Sequence, residues 1–124
     1  MAPTVYFNGA FVSKDEVRIS PDDRGFLFAD GVYEVVRSYH GRLFSLDAHL
    51  RRLTNGLRAI EIAGVDVAGL GTVFRELLTR NGLTGGATVY LQITRGAAPR
   101  VHAFPDPLPP PTVYAEARTF ARTA

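Results

Sequence analysis

The stretch Thr94-Arg95-Gly96-Ala97-Ala98-Pro99-Arg100-Val101-His102 concentrates donor chemistry in a few residues. Arg95 and Arg100 stay charged at any working pH, and His102 can hold a proton or donate a neutral N–H. The apolar run Ala87–Ile93 feeds straight into it. A strand ending in such a loop projects cationic donors from a rigid edge, which suits a small anion. A solvated basic loop would carry the same residues, so other segments must decide between the two readings.

The second segment is Asp23-Arg24-Gly25-Phe26-Leu27-Phe28-Ala29-Asp30-Gly31-Val32-Tyr33-Glu34-Val35-Val36. It joins a charged turn, two aromatics and an Asp-Gly turn that enters a strand bearing Tyr33. Alone, Tyr33 reads as a strand tyrosine with a half-buried ring. Val35, two residues on, faces the same way. The third segment is His49-Leu50-Arg51-Arg52-Leu53. With Leu50 and Leu53 facing a core, Arg51 lies farther round and Arg52 borders the apolar stripe. An arginine there lays its stem on the core with its head in water, or offers its planar fork to a phosphate.

These segments need a scaffold. Val5–Phe7, Asn8-Gly9 and Ala10–Val12 read as a hairpin, because Asn-Gly takes the positive φ of a two-residue turn. Glu16–Ile19 alternates and predicts another short strand. Val32–Tyr39 is β-branched and aromatic, a strand. Ser45 predicts an N-cap for a helix with Leu46, Leu50, Leu53, Leu57 and Ile60 on one face and Gly64 at its end. Leu70, Val73, Phe74, Leu77 and Leu78 mark a second helix, stopped by Asn81-Gly82. Five of the seven residues from Pro105 to Pro111 are proline, an extended connector. Strands, two helices and strands in that order predict an α+β domain, with a mostly antiparallel sheet and two helices packed on one face.

Composition narrows the classes. The 124 residues suit one domain, with 46% hydrophobic and 21% charged residues. The net charge of +2 comes from scattered groups, almost all arginine, and argues against a nucleic-acid surface. No apolar run approaches the roughly 18 residues that span a bilayer, so no membrane partner is expected. The N-terminus lacks a signal-peptide plan, and a cytoplasmic location is the default expectation. Cysteine is absent, which removes disulfides and thiolate chemistry, and no metal site is expected. Lys14 is the sole lysine.

Taken together, Arg24-Gly25, Phe28, Asp30-Gly31, Tyr33-Glu34, His49, Arg52-Leu53, Thr94-Arg95-Gly96 and Pro99-Arg100 with His102 resemble the fold-type IV (class IV) pyridoxal-phosphate aminotransferases, most of all D-amino acid aminotransferase. The likeness runs from about Val5 to Pro105. It implies the small domain of that fold, with Arg52 binding the phosphate of pyridoxal 5′-phosphate. It implies that Tyr33, Arg100 and His102 hold the α-carboxylate of the amino acid, with His49 beside the cofactor. The four binding side chains are expected to converge on one concave wall. The partners implied are an amino acid and a 2-oxo acid, in a homodimer.

In the resemblance, members run to about twice this length, and a second domain supplies the Schiff-base lysine and the acid for the pyridine nitrogen. Lys14 matches no site position, so no catalytic residue is expected in this chain, and it is expected to be inactive alone. Residues 1–104 are expected to form the small domain. Residues 105–124 are expected to hold the Pro-rich segment, a last strand near Val113–Ala115 and the start of an interdomain linker. With the large domain absent, its uncovered apolar face predicts self-association. Two alternatives stay open: another reaction on the same fold (aminodeoxychorismate lyase, branched-chain or (R)-amine transaminase), and a non-catalytic anion- or partner-binding module.

Overall fold

The computed structural model describes residues 2–120. Six strands form one sheet: β1 (Thr4–Phe7), β2 (Ala10–Ser13), β3 (Gly31–Tyr39), β4 (Arg42–Leu43), β5 (Ala87–Thr94) and β6 (Thr112–Thr119). Their order across the sheet is β2-β1-β6-β5-β3-β4, and every pairing is antiparallel. Three helices accompany them: α1 (Arg24–Phe28), α2 (Leu46–Ala59) and α3 (Val67–Arg80). The α+β expectation holds, with α2 and α3 on one face.

The core follows from two periodicities meeting. On β5, Ala87, Val89, Leu91 and Ile93 alternate inward and are fully buried. Against them lie Leu53 and Leu57 of α2 and Leu70, Phe74, Leu77 and Leu78 of α3. The helical positions recur every three or four residues, so each helix presents one stripe to the sheet. The opposite face carries Tyr33, Val35, Tyr90, Gln92, Tyr114 and Glu116; among the described residues neither α2 nor α3 lies over it, and only the short α1 packs at its edge, where Gly25 meets Thr94.

At the first hairpin, Asn8 and Gly9 take φ of 48° and 93°, the positive values a two-residue turn requires. α3 stops at Arg80, before Asn81-Gly82 as the sequence expectation has it, and Asp66 caps its start by accepting from the Gly69 N–H.

Four expectations are corrected. Glu16–Ile19 is not a strand: Lys14–Glu16 forms a 3-10 turn, and Arg18 Nη1 donates to the carbonyls of Asp15 and Val17 instead. Ser45 takes the expected N-cap position of α2, but in a left-handed conformation and without the side-chain cap bond. Gly64 does not end α2, because Glu61 has already turned the chain with φ 59°. Finally, β6 is longer than expected and lies between β1 and β5. A domain that ended at residue 104 would lack the strand joining the two halves of this sheet. The C-terminal end of the expected linker, residues 121–124, lies outside the described residues.

Candidate functional site

The loop after β5 starts with a correction. Arg95 does not project into solvent: it is 3% exposed. Its Nε and Nη2 grip the two oxygens of Asp30 at 2.7 and 3.1 Å. Nη1 and Nη2 also reach the carbonyls of Glu61 and Ile60, where α2 ends. Arg95 therefore closes a helix C-terminus with a cation and satisfies carbonyls that the helix itself leaves free.

Asp30 is shared. Arg24, equally buried, donates Nε to the same Asp30 oxygen at 2.8 Å. Burial alone would raise the Asp30 carboxyl, but hydrogen bonds from Arg95 and Arg24 outweigh it and hold it below the usual carboxylate range. The rest of the Arg24 fork meets the carbonyls of Val101, His102 and Ala103.

The outer part of the loop gathers on one aromatic. The His102 ring lies 5.2 Å from the Phe28 ring, and the Arg100 guanidinium lies 5.7 Å from the same centroid. Both loop residues are exposed. Asp23 supports the loop's root: its carboxylate accepts from the Gly25 N–H and from the hydroxyls of Thr94 and Thr112.

A second cluster forms where α2 crosses β3. The Glu34 side chain is 5% exposed, and its carboxylate receives Arg52 Nε at 2.9 Å and Nη2 at 2.8 Å. His49 Nδ1 lies 2.7 Å from Glu34 Oε1. Burial pushes the Glu34 carboxyl up, yet hydrogen bonds from Arg52 and His49 bring it below its usual value. Those same bonds raise the pKa of Arg52, whose side chain is 71% exposed. Its Nη1 has no partner among the described residues. The arrangement is a charged fork with one edge fixed and one edge open to water, which suits phosphate.

Tyr33 is 66% exposed and stacks on Tyr90 with ring centroids 6.3 Å apart. Val35 shares its face, as strand alternation requires. So the structure brings Arg100 together with His102, and Arg52 together with His49. Among the described residues, no hydrogen bond or ring contact links either pair to Tyr33. Lys14 lies apart from both, 3.3 Å from Glu116 on the uncovered face.

This topology has counterparts among known proteins. The profile of the class IV amino-transferases matches residues 31–124. The chain belongs to that family. A D-alanine aminotransferase of Staphylococcus haemolyticus is 40% identical over 119 residues, 95% of this chain and 42% of that protein. The branched-chain amino acid aminotransferase from Escherichia coli superposes with a TM-score of 0.87 at 19% identity, covering 97% of this chain and 42% of that one, a likeness of fold. The 4-amino-4-deoxychorismate lyase of Pseudomonas aeruginosa does so at 0.72 and 27%, covering 93% and 39%. The chain thus spans about two fifths of the length of the class IV relatives it matches.

Sequence reasoning singled out Arg52, Arg100, His102 and Tyr33 but gave no part to Asp30, Glu34 or Arg24 beyond the pattern. The available signal was Glu34 standing in the strand register of Val32 and Val36, since a charge that folds inward must find a partner.

Proposed function

We propose that this chain is the anion-holding part of a pyridoxal-phosphate-dependent class IV aminotransferase. The enzyme moves an amino group from a D-amino acid to a 2-oxo acid. When bound, the cofactor supplies a carbonyl that takes up the amino group and a ring that accommodates charge at Cα.

The donor set fits the phosphate end of that cofactor. Arg52 holds the phosphate through its open Nη1 edge, and Glu34 fixes the opposite edge so that little orientational freedom is lost on binding. The amine is not supplied here: Lys14, the sole lysine, is ion-paired with Glu116. Its catalytic counterpart belongs to sequence outside these residues, and this chain is inactive alone.

Tyr33, Arg100 and His102 hold the substrate α-carboxylate. A phenol, a planar fork and an imidazole N–H provide directional donors, and two of the three are strengthened by charge when His102 is protonated. A carboxylate fixed on one side decides which face of Cα presents its hydrogen, and so decides handedness. Val35 lines the side-chain pocket. The functional enzyme is a homodimer in the cytoplasm.

The observation that carries the D-amino acid reading is Arg100 and His102 gathered on Phe28 in one loop. The 40% identity to a D-alanine aminotransferase supports it. The test is a panel of D- and L-amino acids with a 2-oxo acid acceptor, run on the full-length protein. Turnover of D-alanine and not L-alanine is expected. Turnover confined to L-branched-chain substrates, or pyruvate release from aminodeoxychorismate, would assign one of the sister reactions. No turnover of any of them would favour a non-catalytic module.

A further inference from the structure

Residues 99–104 carry Arg100 and His102 but belong to no strand or helix. Among the described residues, no backbone N–H in that stretch has a partner. Its bonded carbonyls all go to one side chain, Arg24. Nη1 donates to Val101 O at 2.7 Å and Ala103 O at 3.3 Å, and Nη2 donates to His102 O at 3.4 Å. With Nε on Asp30, four of the five guanidinium N–H groups are engaged. Phe28 lies against the same guanidinium at 4.9 Å, so the anchor and both loop side chains share one ring.

We propose that Arg24 is the positioning residue of this loop: by holding three successive carbonyls, its fork fixes where Arg100 and His102 present their donors. The proposal rests on reading those two residues as carboxylate binders. It extends to Tyr33 as well, because Asp30 directly precedes the strand that bears it. One guanidinium therefore relates the loop to the strand. Lysine cannot replace it, since a compact ammonium can keep Asp30 but cannot span three carbonyls in a plane.

Arg24→Lys is the test. On this chain under native conditions, tryptic cleavage after Arg100 is expected to rise about tenfold or more, while cleavage after Arg75 in α3 changes less than about twofold. On the full-length protein, KM for D-alanine is expected to rise about tenfold with kcat within about twofold, because the clamp acts alike on bound substrate and transition state. A merely structural role would lower the thermal midpoint without moving KM below it. Unchanged cleavage, or faster cleavage with an unmoved KM, overturns the proposal.

Should Arg24→Lys fail to fold, amide order parameters of the unaltered chain decide. Values near about 0.85 at residues 100–103 support the anchor, and values below about 0.6 overturn it. If the full-length protein turns over no amino acid while Arg24→Lys still exposes Arg100, the anchor stands and the aminotransferase reading falls.

Discussion

Tyr33 and Glu34 are successive residues of β3 that serve opposite faces of the sheet. Glu34 turns to the helices and holds Arg52 and His49, while Tyr33 turns to the uncovered face and stacks on Tyr90. The strand's two-residue period imposes the split. β4 borders β3 only at Ser38 and Tyr39, so the first half of β3 is an open edge. Side chains from both faces can meet a ligand that lies across that edge.

Acid should unfold the chain through its paired carboxylates. Burial raises the carboxyls of Asp30, Glu34 and Glu116, but arginine hydrogen bonds leave all three below their usual values. A depressed native pKa means that the unfolded chain binds more protons, so this stability is complete above about pH 5 and drains as pH falls below about 4. The urea midpoint should be flat from about pH 7 to 5 and then decline. Glu34→Gln should make the acid limb shallower. A midpoint that climbs on acidification would contradict the assignment.

Asp30→Asn should cost far more than its conservative form suggests. It leaves Arg24 and Arg95, each 3% exposed, without their shared counter-charge. Breaking a buried pair by removing one partner costs about 3–5 kcal/mol. Arg80→Gln, which removes an exposed i,i+4 pair with Glu76, should cost less than about 1 kcal/mol. Urea denaturation of both variants measures the contrast, and equal losses would rule out a central role for Asp30.

Local periodicity made most of the scaffold legible. The stripes of α2 and α3 and the Asn8-Gly9 turn each follow from residues a few positions apart. The site was legible by residue type but not by partner. Arg95 looked free because Asp30 lies 65 positions away, and the capture of Arg52 depends on how α2 crosses β3. The five-residue α1 is too short to show a period, yet it carries Arg24 and Phe28 at either end. Ser45 was the opposite case, a favourable cap residue that takes the cap position without the side-chain cap bond.

Two glycines with similar backbones should respond differently to alanine. Gly64 and Gly96 have φ of 85° and 99°, so alanine strains either one by about 1–3 kcal/mol. At Gly64 a Cβ meets open space, whereas at Gly96 it runs into the Pro110 carbonyl oxygen. Gly96→Ala should therefore be the more destabilising, and should loosen the Pro-rich segment from the loop root. Equal urea midpoints would mean that this close approach is not held in solution.

Lys14 provides the last test, because a lysine amine is what the proposed chemistry needs most and this chain has only one lysine. Its Nζ lies 3.3 Å from a Glu116 oxygen, with Arg118 on the same carboxylate, so the pair acts as a surface clip between the 3-10 turn and β6. Such exposed pairs contribute about 0–1 kcal/mol. Lys14→Arg keeps the charge and should leave the urea midpoint unchanged within that range. With pyridoxal phosphate, D-alanine and a 2-oxo acid in excess, the unaltered 124-residue chain and the variant should both stay at the uncatalysed rate. Turnover by the unaltered chain that disappears in Lys14→Arg would make this lysine the catalytic amine and overturn the assignment of that role to sequence elsewhere.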